Sequence, residues 1–97
     1  MHALTQDAIN TLLQQLDGCT LQERMISKTF EFQNFYQTMA FVNAVAWIAQ
    51  RENHHPDFNV SYRTCRLEYS THDLNSLTEN DFICAAKADA AGNTRRQ

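Results

Sequence analysis

Between positions 34 and 52 the apolar residues recur at helical spacing, whereas on either side of this segment they alternate with a period of two. Asn34 is a suitable N-cap, and Pro56 disfavours helical geometry at the residue before it. We therefore predict one long helix over 34–52, placed between two extended segments. Its apolar face comprises Phe35, Met39, Val42, Val45, Ala46 and Ala49, and is widened by Phe41, Trp47 and Ile48. A face this broad and aromatic is expected to pack on a sheet.

The two extended segments each predict a pair of strands. Residues 26–32 alternate regularly and are rich in strand-forming residues, and a shorter strand is expected near 19–24. The alternation returns over 58–70 but changes phase at Arg63-Thr64, which indicates a tight turn or a bulge.

Two further helices are expected near the ends of the chain. Residues 5–16 carry leucines at helical spacing, with Thr5 as N-cap and Gly18 placed to end the helix in a left-handed conformation. A closing helix begins at Thr78, and Asp81, three residues later, completes a capping-box arrangement.

The predicted fold class is α+β. The element order α-β-β-α-β-β-α predicts a two-layer sandwich, a four-stranded antiparallel sheet with helices on one face. Residues 1–91 are expected to form a single domain, and the polar residues 92–97 a disordered tail. A chain of 97 residues leaves much of its surface exposed, so apolar faces can be buried by self-association.

Composition argues against several functional classes. The net charge of -3 does not provide the positive field typical of nucleic-acid binding. No apolar run is long enough to span a membrane, and the first residues lack a signal-peptide pattern, so we expect a cytoplasmic protein. Cys19, Cys65 and Cys84 are widely spaced, which favours buried reduced thiols over a disulfide framework.

Three of the four histidines fall in two short clusters. His54 and His55 precede Pro56, and His72 lies in the sequence Ser-Thr-His-Asp at an expected strand end. Imidazole exchanges protons near neutral pH, so these residues could perform general acid/base catalysis without a metal or a cofactor. Histidines that cap helices or lie on the surface are the structural alternative.

Two other chemistries are less well supported by the spacing. Three histidines could bind zinc, but adjacent His54 and His55 tend to point apart, and a His-Glu-x-x-His helix motif is absent. Cys65 or Cys84 could act as a nucleophile beside a histidine, but both lie at apolar positions of their elements, which favours a buried structural role.

The spacing of these residues resembles the active-site pattern of the pterin-4a-carbinolamine dehydratases, a family also known as the dimerisation cofactor of a hepatocyte homeodomain transcription factor. In this chain five residues separate His54-His55-Pro56 from the aromatic Tyr62, nine separate Tyr62 from His72, and eight separate His72 from Asp81. The resemblance extends over about residues 20–88.

The resemblance implies that the protein dehydrates 4a-hydroxytetrahydrobiopterin to quinonoid dihydropterin, with no cofactor and no metal. It implies His54, His55 and His72 as the acid/base set, and Pro56, Thr71 and Asp73 as pterin contacts. For Asp81 it leaves two roles open, orienting a histidine or capping its own helix. Family members form homodimers or homotetramers, which we expect here too; neither nucleic acid nor membrane is an expected partner.

One position departs from the family pattern. The residue four before His54 is Gln50, where a carboxylate is often found, and Glu52 is displaced by two residues. This departure keeps a second function open, in which a catalytically weak relative acts as a protein-binding dimerisation or assembly cofactor.

Overall fold

The computed structural model describes residues 2–95 and, within them, every side chain except those of His72, Thr94 and Arg95. A single turn of 3-10 helix (His72–Leu74) precedes the last helix. The regular elements are α1 (Gln6–Gln14), β1 (Thr20–Gln22), β2 (Met25–Glu31), α2 (Phe35–Glu52), β3 (Asp57–Val60), β4 (Thr64–Tyr69) and α3 (Glu79–Arg95).

The four strands form one antiparallel sheet in the order β1-β2-β4-β3. In the central pair Ile26 lies opposite Tyr69 and Phe30 lies opposite Cys65, and these four side chains are buried. Because side chains alternate across a strand, Ser27 and Thr29 project from the other face of the sheet. Lys28 shares the core face and pairs with Asp89 of α3. The predicted α+β architecture is confirmed.

The core lies between the sheet and the helices. Phe41 and Val45 of α2 have no solvent exposure, and the Phe41 ring lies 4.5 Å, centroid to centroid, from that of Phe30 on β2. From α3, Phe82, Ala85 and Ala88 complete this layer. No helix of residues 2–95 combines the length and apolarity needed to cross a membrane.

Local signals position several element ends as expected. The Thr5 side chain accepts a hydrogen bond from the backbone N–H of Ala8, and the Asn34 side chain accepts one from Gln37. Gly18 adopts the expected left-handed conformation, φ +77°, but it does not end the helix, because α1 stops at Gln14 with Gln15 as a right-handed C-cap. The phase change at Arg63-Thr64 corresponds to the turn between β3 and β4.

The aromatic face of α2 is narrower than the sequence suggests. Phe41 and Val45 face the core, whereas Trp47 is 62% exposed and Tyr36 is 83% exposed. The prediction that the whole broad face packs on the sheet is therefore wrong for Trp47. Tyr36 and Trp47 are instead on the outer side of the helix layer.

The predicted tail begins too early. Helix α3 continues through Gly92 to Arg95, and Gly92 is buried. A β-carbon at this position would lie only 2.8 Å from Cδ2 of Phe30, so α3 approaches the sheet closely here. Of the predicted tail, residues 96 and 97 lie outside the described part of the chain.

Candidate active site

The loop that carries His54 and His55 begins at a left-handed helix cap. Asn53 adopts φ 53° and ψ 42°, and the backbone N–H groups of Asn53 and His54 both donate to the carbonyl oxygen of Ala49. Asparagine tolerates this conformation because its short polar side chain can bond locally. Helix α2 therefore ends at Glu52 through Asn53, and the prediction that Pro56 ends it is wrong.

Asp81, in the first turn of α3, is the centre of a buried hydrogen-bond network. Its side chain has no solvent exposure. Oδ2 accepts from the Thr71 hydroxyl at 2.8 Å and from the Thr78 backbone N–H at 2.9 Å. The hydroxyls of Thr71 and Thr78 are themselves 2.9 Å apart. A buried carboxylate thus has its acceptor sites occupied, as buried polar groups require.

The other carboxylate oxygen of Asp81 binds His54. Oδ1 lies 2.6 Å from Nε2 of His54, whose side chain is 11% exposed. The His54 ring stacks against Tyr69 at 6.4 Å between centroids, with 11° between the planes. Burial raises the pKa of Tyr69 and keeps its hydroxyl neutral. Asp81 therefore binds a histidine and also accepts from the backbone N–H of Thr78, which caps the helix that carries Asp81. It makes the contacts of both roles that the resemblance left open.

The remaining predicted residues differ in their surroundings. His55 is exposed, whereas Pro56 is buried immediately before β3. Thr71 is buried, and its backbone pairs with Ser76 across a short bridge that encloses the 3-10 turn. Asp73 is exposed within that turn, and the His72 backbone lies there too, although its side chain is outside the described part of the chain.

Shared contacts bring the two histidine clusters together. Asp81 binds His54 on one side and Thr71 on the other, and Thr71 is adjacent in sequence to His72. The loop at 54–56 and the segment at 71–73 therefore meet at the start of α3. The network leaves His55 and Asp73 in contact with solvent, where a dissolved ligand can reach them.

The aromatic residue of the spacing pattern lies elsewhere. Tyr62 is in the turn between β3 and β4, at the opposite end of this hairpin from Pro56, and is 65% exposed. Its ring stacks on Phe35, with 5.8 Å between centroids. Tyr62 thus packs against the start of α2 rather than against His54.

Glu52, the carboxylate two residues after the family's acidic position, pairs with a lysine of α3. Glu52 accepts from Lys87 of α3 at 3.0 Å, in an ion pair that joins the two helices at the surface. Gln50, the residue at the family's acidic position, is exposed. The structure therefore gives Glu52 a partner in α3.

The two cysteines considered as nucleophiles are buried and neutral. Cys65 and Cys84 have at most 1% exposure, and burial raises the pKa of each thiol to about 11. A thiol that remains protonated is a poor nucleophile. Cys84 instead donates a weak hydrogen bond to the carbonyl oxygen of His54 at 3.8 Å, which supports a structural role near the site.

Sequence reasoning found Thr78 as a cap but missed its second role. Its hydroxyl extends the network to Thr71, and Tyr69 and Cys84 also contact His54. The sequence signal for the contact between the Thr78 and Thr71 hydroxyls was the position of Thr78, three residues before Asp81. Among the described side chains, no group of three histidine, cysteine or acidic residues is placed to hold a metal ion.

Comparison with known proteins gives a consistent family assignment. A family model described as pterin 4 alpha carbinolamine dehydratase matches residues 2–91. A protein of Nitrosospira multiformis is 57% identical over 92% of this chain and 79% of its own length. A protein of Legionella pneumophila is 57% identical over 90% of this chain and 80% of its own. Both are provisionally named pterin-4-alpha-carbinolamine dehydratases.

Solved structures share the fold. A Brucella melitensis protein described as a transcriptional coactivator/pterin dehydratase superposes with a TM-score of 0.91 at 29% identity, covering 94% of this chain and 99% of that one. A pterin dehydratase-like protein described as a RuBisCO assembly factor in the alpha-carboxysome gives a TM-score of 0.64 at 25% identity, covering 76% of this chain and 86% of that one.

Proposed function

Because the chain belongs to the pterin 4 alpha carbinolamine dehydratase family, we propose that it removes water from 4a-hydroxytetrahydrobiopterin to give quinonoid dihydropterin. The observation that carries this proposal is the contact of one buried carboxylate, Asp81, with both His54 and Thr71. That contact joins the two histidine clusters, as an acid/base site built from both of them requires.

The reaction needs two proton transfers and little else. The hydroxyl on C4a leaves as water only when it is protonated, while the neighbouring ring nitrogen supplies the electron pair that replaces the C–O bond. The same nitrogen then loses a proton to give the neutral quinonoid product. Imidazoles suit both steps because their pKa lies near neutral pH. His54, His55 and His72 are the proposed acid/base set.

The surroundings of His54 and His55 suggest different contributions. His54 is held by Asp81, so its ring has one orientation. His55 is exposed and free to meet a substrate from solvent. We propose that Pro56, Thr71 and Asp73 border the pterin, with Pro56 and Thr71 as the buried wall and Asp73 at the exposed rim.

A dehydration assay tests this function directly. Purified protein is added to 4a-hydroxytetrahydropterin generated in solution, and loss of its absorbance is followed over time. We expect an increase over the spontaneous rate in proportion to protein concentration. A rate equal to the spontaneous one at every concentration would exclude the enzyme function.

The second candidate function is that of a protein-binding dimerisation or assembly cofactor. The descriptions of the two solved relatives, a transcriptional coactivator and a RuBisCO assembly factor, favour this possibility. Gln50 at the family's acidic position agrees with a weak catalyst. An inactive protein in the dehydration assay would favour this candidate over the first.

We also propose that the chain forms a homodimer or homotetramer. β3 is an edge strand, and Phe58 and Val60 on it are 38% and 39% exposed although they lie opposite the buried Leu67 and Cys65. Unpaired strand edges and exposed apolar side chains are typical of surfaces buried by association. Light scattering of the protein as it elutes from a size-exclusion column measures its mass and hence the number of subunits. A monomeric mass would contradict this proposal.

A further inference from the structure

Thr78, Thr71, Asp81 and His54 form a continuous buried chain of hydrogen bonds whose donors can be assigned. We infer that Thr71 and Thr78 are positioning residues that hold the His54 ring proton on Nε2, so that Nδ1 is the nitrogen presented to substrate. The part of this inference that concerns substrate rests on the proposed dehydratase function. The part that concerns the ring proton does not.

The directions follow from the number of hydrogens available. The Thr78 backbone N–H can only donate, so Oδ2 of Asp81 accepts from it. The Thr71 hydroxyl also donates to Oδ2 and thereby uses its single hydrogen. Its oxygen must then accept from the Thr78 hydroxyl, 2.9 Å away. The Thr71 hydroxyl and the Thr78 N–H therefore both donate to Oδ2, so Asp81 acts in this network as an ionised, acceptor-only carboxylate.

An anionic Asp81 determines the protonation of the ring. With two donors on Oδ2, the remaining oxygen, Oδ1, can only accept from His54 Nε2 at 2.6 Å. Nε2 therefore carries hydrogen whether the imidazole is neutral or charged. In the neutral ring the lone pair therefore lies on Nδ1. Nδ1 is the nitrogen that can accept a proton.

The surroundings of His54 hold its ring in this orientation. The backbone N–H of His54 donates to Ala49, its carbonyl oxygen accepts from Cys84, and the ring lies against Tyr69. Nδ1 makes no hydrogen bond within the described residues, and no buried side-chain nitrogen or oxygen there lacks a partner. The His54 side chain keeps 11% of its surface exposed, and we assign Nδ1 as the nitrogen that meets a ligand.

The two nitrogens of the His54 ring therefore have different roles in the reaction. Nδ1 takes a proton from substrate or returns one to it, while the Nε2 hydrogen stays on the ring and Asp81 remains a carboxylate. The positive charge of the imidazolium is then balanced across the Nε2–Oδ1 contact. The threonine hydrogen bonds hold Asp81 in place, a support that is known to matter for reactive histidines; Thr71→Val, which keeps the shape of the side chain, leaves the wall that Thr71 gives the pterin intact.

The test uses the full-length protein with 15N-labelled histidine. Two-bond proton–nitrogen correlation spectra are recorded at a pH at which the imidazole is neutral. They distinguish a protonated ring nitrogen from one that carries a lone pair. We expect the His54 signals to show hydrogen on Nε2 and a lone pair on Nδ1. A lone pair on Nε2 would overturn the inference, and this measurement needs no substrate.

Paired substitutions test the threonines. Thr71→Val keeps the shape but removes the donor, so we expect a His54 spectrum with both tautomers and a kcat about tenfold lower, with KM nearly unchanged. Thr71→Ser should restore both readouts. Thr29→Val, at an exposed position on β2, is the matched control and should alter neither.

Thr78→Val separates the two threonines, because it removes the hydroxyl but keeps the N–H donor to Asp81. A smaller change than that of Thr71→Val is expected. Unchanged tautomer and kcat in a folded Thr71→Val protein would reject the positioning role. An active enzyme with hydrogen on Nδ1 rejects this inference alone, whereas an inactive protein with hydrogen on Nε2 rejects only the dehydratase function.

Discussion

Asp81 Oδ1 lies 2.6 Å from His54 Nε2, and this contact joins the residue that follows the cap of α2 to the first turn of α3. Asp81 has no solvent exposure, and His54 is nearly buried. A charge removed from water in this way is retained only where donors surround it. The same contact therefore supports the packing of two helices and the orientation of a histidine.

Asp81→Asn should destabilise the fold and lower activity together. The amide nitrogen would place hydrogens against either the Thr78 N–H or His54 Nε2, which leaves buried donors without acceptors. Removing one partner of a buried pair typically costs about 3–5 kcal/mol. Urea unfolding followed by circular dichroism measures the change, and Asp17→Asn, at an exposed position, is the control. Equal unfolding midpoints for Asp81→Asn and wild type would contradict the role given to this carboxylate.

His55→Ala should lower the dehydration rate without affecting stability. The side chain is exposed, so its removal leaves no cavity. General acid/base groups typically contribute about 10²- to 10⁴-fold to a rate. Initial rates with 4a-hydroxytetrahydropterin should fall within that range while the circular-dichroism spectrum is unchanged. As a control, His2→Ala removes an exposed imidazole far from these residues in sequence and should retain the full rate. A wild-type rate for His55→Ala would remove His55 from the acid/base set.

His72→Ala should have a comparable effect through the second cluster. Its backbone follows Thr71 directly, at the start of the 3-10 turn. Loss of about 10²-fold or more in rate is expected if this imidazole transfers a proton. The same assay and spectrum measure it, with His2→Ala again as the reference. Full activity in this variant would limit the acid/base set to the loop at 54–55.

Most of the fold could be predicted because its signals are local. Thr5 and Asn34 cap their helices within a few residues, and the period-two segments pair in register across the sheet. The end of α2 could not be predicted in this way. The left-handed conformation of Asn53 is one of several that asparagine tolerates, whereas Pro56 carries a stronger local signal.

The site was only partly predictable for a related reason. Spacing identified Asp81 as a residue of interest, but a capping box and a histidine partner produce the same sequence pattern. Only the packing of α3 against the loop at 54–56 shows that one carboxylate does both. The contact between Thr78 and Thr71 likewise depends on the bridge that closes the 3-10 turn.

Stability should fall more steeply at alkaline pH in wild type than in a Cys65→Ala, Cys84→Ala double variant. Burial raises the pKa of both thiols to about 11, above the value near 8.5 expected in the unfolded chain. Between these values the unfolded state releases protons that the folded state keeps, so the free energy of unfolding decreases as pH rises. Urea unfolding at pH 8 and pH 10 with reductant measures the two slopes; equal slopes would contradict the raised values.

Gly92→Ala should destabilise the protein, although the same change at an exposed helical position stabilises it by about 1 kcal/mol. The new β-carbon would lie 2.8 Å from Cδ2 of Phe30, 2.9 Å from its Cε2 and 3.3 Å from Cε1 of Phe41. These rings are buried and pack on each other, so neither can move freely. Overpacking of this kind costs about 1–3 kcal/mol. Asn93→Ala, at the next and exposed position of α3, is the control and should be neutral or slightly stabilising in urea unfolding. If Gly92→Ala raised the midpoint as much as Asn93→Ala, α3 would not approach the sheet at this point.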